Sequence, residues 1–299
     1  MDSSPDTTKR SEGGRLARLQ LLDRRIIFGV LFAAAIFSFM VPLMPGRSVG
    51  PEARAVFGAV ESCPEDKIIL LDSSWDQGSQ SENRAQFRVL VEHMFRRNIK
   101  FVVTSVGVTP LAPELARDIL EELAKKYDKE YGTDYVQLGF VPGGSIGGIV
   151  ATSPLGFVIS ALARDIHSVY PRDVYDNPVP DLPLMQRVKG IEQVHLVICV
   201  TYAPSEDWIS FIRGQYGTPV AFANMSIMVP YYATYIESGQ LAGMIVGTRG
   251  AAEYESLLEL EKPGEATRLM TPQAFVHILI IVFIALGNVG YFAARRGAP

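Results

Sequence analysis

The sequence predicts an α/β fold, a doubly wound and mainly parallel sheet set between two transmembrane helices. Three observations carry this reading. Apolar runs without Asp, Glu, Lys or Arg stand near both ends, at Ile26 to Met44 and Gln273 to Ala294. Between them, short apolar runs alternate with amphipathic stretches at helical spacing, the pattern of strand–crossover–strand units. Several of these runs end in small polar residues, as buried parallel strands do at the carboxyl edge of a sheet.

The apolar runs come first because they set the solvent. The chain has 299 residues, 48% of them hydrophobic, and a mean hydropathy of +0.16. The excess lies in the two terminal runs, each long enough as a helix to reach the thickness of a bilayer core. Residues 1–25 read as a basic tail, 26–44 as the first span, 45–66 as a linker with a short helix at Glu52 to Val60, and 67–262 as the α/β domain. Residues 263–272 follow as a second linker, 273–294 as the second span and 295–299 as a short tail, with Thr271-Pro272 as the start signal of the last helix.

Basic residues orient the spans. Lys9, Arg10, Arg15, Arg18, Arg24 and Arg25 precede the first span, Arg295 and Arg296 follow the second, and the inner flanks carry Arg47, Arg54, Lys262 and Arg268. The positive-inside rule then puts both termini in the cytoplasm and the domain on the extracytoplasmic side. A net charge of -4 without a basic patch argues against a nucleic-acid partner. The two cysteines, Cys63 and Cys199, make neither a disulfide framework nor a metal site.

Within the domain, the expected strands are Ile68 to Leu71, Lys100 to Val103, Asp134 to Leu138, Val194 to Val200 and Thr218 to Ala223, with Val194 to Val200, the most apolar, in the centre. Helices are expected at Ser81 to Asn98, Pro113 to Tyr131, Leu155 to Ser168 and Ser205 to Gly214, and an ordered loop at Pro171 to Pro183. Strands separated by such crossovers imply a Rossmann- or flavodoxin-like sheet. Gly239, Gly243, Gly247 and Gly250 recur at helical spacing, so that one smooth helix face is expected there. Tight packing on the sheet accounts for such a face; contact between copies of the chain is the sharper reading, supported by the aromatics Tyr231 and Tyr232.

Chemistry, if any, belongs at the strand ends. Asp72, Ser73, Ser74 and Asp76 follow the first strand, Ser105 the second, and Gly143, Gly144 and Ser145 the third. Adjacent strands would gather them in one crevice, where hydroxyls and carboxylates suit a small polar ligand and glycines suit close backbone approach. Turns and helix caps need the same residue types. No Walker A motif, G-x-G-x-x-G fingerprint after the first strand or G-x-S-x-G elbow is present. His93, His167, His195 and His277 lack metal-ligand spacing, and no residue is assigned as catalytic or metal-binding. Glu253-Tyr254-Glu255 reads as part of a solvated helix face.

The sequence therefore suggests a membrane-anchored binding and assembly module. Its partners would be the lipid bilayer and either copies of itself or other membrane proteins, and its cofactor is not identified by any motif. The alternative is a tethered hydrolase or transferase acting on a small polar substrate at the same strand edge.

Overall fold

The structure, a computed structural model, describes residues 23–40, 49–107, 109–142 and 154–296. They form two compact units, and the described residues between Gly46 and Thr267 make up the larger one. Its centre is a six-stranded, all-parallel sheet in the order β3-β2-β1-β4-β5-β6, so the order reverses between β1 and β4. The strands are β1 (Ile68–Ser74), β2 (Phe101–Val106), β3 (Tyr135–Val141), β4 (Val194–Thr201), β5 (Val220–Asn224) and β6 (Gly243–Val246).

Helices cover both faces. On one lie α2 (Pro51–Glu61), α3 (Gln80–Arg96), α4 (Ala112–Tyr127) and α8 (Gly247–Leu257); on the other lie α5 (Pro154–Arg164), a π-helical turn at Ile209–Arg213 and α7 (Val229–Glu237). The short α6 (Ile166–Val169) follows α5. The expected Leu155 to Ser168 helix is thus split at Asp165, whose carboxylate caps the second piece through His167 N–H and Ser168 N–H. Val197 to Val200 are fully buried, with β1 and β5 on either side of β4, in keeping with its expected central place.

Two expectations are corrected. The polar Asp72-Ser73-Ser74 continues β1 rather than ending it, in register with Cys199, Val200 and Thr201 of β4. The expected glycine-faced helix is instead a turn at Gly239, strand β6 and then α8. Gly239 and Gly247 have φ of +70° and +55°, a region that closes no continuous helix, and Gly243 on β6 lets the α2 backbone approach. A sixth strand results, parallel to β5 from Ala221↔Gly243 to Asn224↔Val246. The short helix expected at Glu52 to Val60 is α2, and its Ala53, Val56 and Val60 are buried in the domain.

The terminal helices are α1 (Arg24–Met40) and α9 (Glu265–Arg296). Among the described residues one helix is long and apolar enough to cross a membrane, Glu265–Phe292 in α9, where an 18-residue stretch has a mean hydropathy of 2.2. Helix α1, which holds the described part of the first apolar run, has 17 residues, below that length, and 41–44 of the expected span lie outside the described residues. Helix α9 begins at Glu265, not at Thr271, and Pro272 lies inside it. The start is set by Glu255, whose carboxylate accepts from Ala266 N–H at 2.8 Å and Thr267 N–H at 2.9 Å, two of the orphan donors of the first turn.

Candidate functional site

The carboxyl edge of β1 is where the predicted residues meet the reversal of strand order. Side chains alternate along a strand, so Asp72 and Ser74 face the α5 side while Ser73 faces α3. The expected single crevice is therefore divided between two faces. On the α5 side, Asp72 is 1% exposed. Its Oδ1 accepts from Val106 N–H at 3.1 Å and Thr104 Oγ1 at 3.2 Å, and Ser74 Oγ lies 2.7 Å from its Oδ2. Ser74 Oγ is also 3.1 Å from the Val106 carbonyl. Burial pushes the Asp72 carboxyl up to about 7 from the ordinary 3.8, although Ser74, Val106 and Thr104 all pull it down. Near neutrality the carboxyl can hold its proton and donate to Ser74, which passes a hydrogen bond on to Val106.

Two further groups share this environment. Cys199 of β4 and Tyr170 after α6 are fully buried, and both are pushed well up, first by burial and then by the charge of Asp72. Neither is a ready nucleophile, because a thiolate or phenolate there would be both desolvated and beside an acid.

On the α3 side the sheet edge is closed by two amides that sequence reasoning missed. Asn83 and Gln86 lie on α3 and are fully buried. Asn83 Nδ2 donates to Gln86 Oε1 at 2.8 Å and to Thr201 O at 3.3 Å. Gln86 Nε2 is 2.8 Å from Asn224 O, 3.0 Å from Ile245 O and 3.2 Å from Gly247 O. The ends of β4, β5 and β6 are thus gathered under the first turns of α3. A signal was available: Asn83 and Gln86 fall one helical turn before Phe87 and Leu90, on the buried stripe.

Asp76 stands in the turn between β1 and α3. It exchanges bonds with Ser79, from Ser79 N–H to Asp76 Oδ1 at 2.9 Å and from Asp76 N–H to Ser79 Oγ at 3.1 Å. Partial burial pushes Asp76 up, but Ser79, Tyr202 and Gly78 outweigh it and hold the carboxyl below its ordinary range. Ser105 is buried in β2 in register with Phe140, and its carbonyl lies 3.5 Å from Tyr170 Oη. Gly143, Gly144 and Ser145 lie outside the described residues. Among the polar atoms at this edge, Ser73 Oγ, Trp75 Nε1 and Asn83 Oδ1 are buried without a hydrogen-bond partner.

The residues expected at an assembly face are dispersed. A Cβ on Gly243 would lie 2.7 Å from Glu52 O and 3.0 Å from Val56 N, so α2 of the same chain covers it. Gly247 opens α8 beside Ser226 and Glu82. Tyr232 is buried, stacked on Phe222 with its hydroxyl accepting from Ser205 N–H at 2.7 Å. Gly239 has open space where a Cβ would stand. Tyr231 is exposed on α7, and Ile227 just before it is 74% exposed.

The acidic run before the last helix also departs from expectation, since Glu253, Tyr254 and Glu255 are all buried. Glu253 Oε2 accepts from Gly50 N–H at 3.0 Å, at the head of α2. Tyr254 Oη is 2.7 Å from His93 Nδ1, and His93 Nε2 is 2.9 Å from Glu61 at the tail of α2. Glu255 holds the start of α9. No group of three His, Cys, Asp or Glu among the described residues is placed to hold a metal ion, and both cysteines are free.

No protein-family profile matches the chain, and no curated protein sequence matches it. Among solved structures, the carboxyl transferase domain of Rhizobium etli pyruvate carboxylase, solved with pyruvate, aligns at 10% identity and a TM-score of 0.22 over 84% of this chain. The chain spans about half of that one, 54% of its length. A likeness of that size carries no argument about fold or function.

Proposed function

We propose that the chain is a membrane-anchored α/β module that works by binding and assembly rather than by catalysis. The observation that carries this reading is the state of the polar groups at the sheet edge. Asp72 and Asp76 are each held by several donors from the chain itself. At this edge the buried groups left without partners, Ser73 Oγ, Trp75 Nε1 and Asn83 Oδ1, are neutral hydrogen-bonding groups. Such groups suit recognition or structural water, and they supply neither a base nor an activated nucleophile.

In this reading the apolar runs containing α1 and α9 both cross the bilayer, the termini lie in the cytoplasm and the doubly wound domain sits on the other side. With Gly243 and Tyr232 committed within the chain, association falls to the exposed Tyr231 and Ile227. Anchoring raises the local concentration of such surfaces and favours lateral contact. Light scattering of the full chain in a mild detergent tests this. An oligomer that Tyr231→Glu dissociates supports it, and a monomer at every concentration sinks the assembly reading.

One observation favours the second reading, a tethered hydrolase or transferase. A carboxyl at about 7 is suited to general acid–base work near neutral pH. Hydrolysis of p-nitrophenyl esters or phosphates by the full chain, abolished in Asp72→Asn while the fold is kept, would decide for it.

A further inference from the structure

The edge strand β3 borders a cleft of about 430 Å³, within the size range of small-molecule pockets. Pro110 and Pro113 line it at the start of α4, and Leu138 and Phe140 line it from β3. Tyr170 contributes a buried ring from the segment after α6.

Arg117 of α4 lines the same cleft and is its unspent charge. Its Nε is buried and has no hydrogen-bond partner, and none of the ion pairs among the described residues involves it. Glu121, one helical turn on, would be its natural partner. Glu121 instead accepts from Tyr175 Oη at 2.8 Å, while the Tyr175 ring holds the guanidinium with Cζ 5.4 Å from its centroid.

The other charges around the cleft are engaged or solvated. Arg172 Nη1 donates to Asp176 O at 2.6 Å and stands 3.4 Å from the Asp176 carboxylate. Asp173 accepts from Tyr131 Oη, from Asn177 Nδ2 and from the N–H groups of Tyr175 and Asn177. Glu114 is exposed, so water screens it.

We propose that this cleft binds a small organic carboxylate, its acid group on the Arg117 guanidinium and its apolar body against the prolines and β3. A guanidinium presents a planar fork that matches a carboxylate in two parallel hydrogen bonds. The apolar walls favour an acid with a hydrocarbon body over a bare inorganic anion. The assignment does not rest on the membrane or assembly reading.

Isothermal titration calorimetry on the full chain in a nonionic detergent tests it, with 3-phenylpropionate, 3-phenylpropanol and inorganic phosphate as probes. The acid is expected to bind saturably, about tenfold or more tighter than the alcohol, and to lose about tenfold or more in Arg117→Met. Arg117→Lys keeps the charge without the fork and recovers part of the loss. Equal binding of acid and alcohol to the unmodified chain overturns the proposal without recourse to any variant. So does the absence of saturable binding by the acid, or binding that Arg117→Met leaves unchanged. Phosphate binding tighter than the acid and displacing it overturns the carboxylate class.

Discussion

Replacing Asp72 by Asn should stabilise the domain progressively, relative to the unmodified chain, as pH rises. Burial places the folded carboxyl at about 7 against an ordinary 3.8. Below the lower value both states hold the proton and the group has no effect. Above it the unfolded chain ionises while the folded carboxyl stays protonated, so stability falls with pH until the folded group also ionises. At roughly 1.4 kcal/mol per pKa unit, the loss between pH 5 and pH 8 is about 2 to 3 kcal/mol. Asn is a close copy of the protonated acid. Its Nδ2 can donate to Ser74 Oγ, and its Oδ1 can accept from Thr104 and from Val106 N–H, the donors that Asp72 uses.

The assay is urea unfolding of both proteins across that range, followed by intrinsic fluorescence. The two tryptophans of the chain, Trp75 and Trp208, are both buried and will report exposure of the core. The quantity to plot is the stability difference between variant and parent, in which pH-independent effects of the amide appear only as an offset. It should grow by about 2 to 3 kcal/mol from pH 5 to pH 8. A difference that stays flat or shrinks means that Asp72 is ionised in the folded domain, and the desolvation argument fails.

Three other perturbations probe the helix packing on the α3 side of the sheet. Gln86→Leu leaves the carbonyls of Asn224, Ile245 and Gly247 without their shared donor and should cost about 2–4 kcal/mol, read from the shift in urea midpoint. Gly243→Ala forces a methyl group toward Glu52 O and Val56 N; about 1–3 kcal/mol of overpacking should lower the melting temperature and speed amide exchange in Pro51–Glu61 without altering oligomeric state. Burial depresses the folded pKa of His93 below 6.5 even though Glu61 pulls it up, so its contribution is present above pH 6.5 and is lost as pH falls through the folded value. His93→Gln should therefore lose less stability than the parent chain between pH 6.5 and pH 4.5.

The apolar runs at Ile68, Val102 and Val194 were legible as strands because burial on both faces leaves a continuous hydrophobic signature. Asp72 to Ser74 were not legible as strand, since nothing local announces that Thr104, Val106 and β4 will satisfy them across the sheet. Strand β6 was hidden for a related reason. Glycine is poor in both strand and helix, and only the passage of α2 over Gly243 explains its presence. The glycine spacing was real, but positive φ at Gly239 and Gly247 makes it a sequence of turns. Nothing in the sequence around Arg117 singles it out, because the commitment of Glu121 to Tyr175 depends on a residue far along the chain.

Glu253, Tyr254 and Glu255 connect these results. Successive residues of a helix point about 100° apart, so three in a row reach three directions, and in α8 each direction holds a different structure. One carboxylate caps α2, the phenol reaches the other end of α2 through His93, and the second carboxylate caps α9. The segments by which the chain enters and leaves the domain are both fastened beside β6. The cleft with Arg117 lies at β3, the opposite edge of the sheet. Loosening the fastening with Glu255→Ala should therefore weaken the start of α9 by about 1 kcal/mol, as an N-cap loss does, while binding at Arg117 stays unchanged. Coupling between the two would require strain to pass through every strand of the sheet, and additivity in the double variant is the expected result for sites that share no partner.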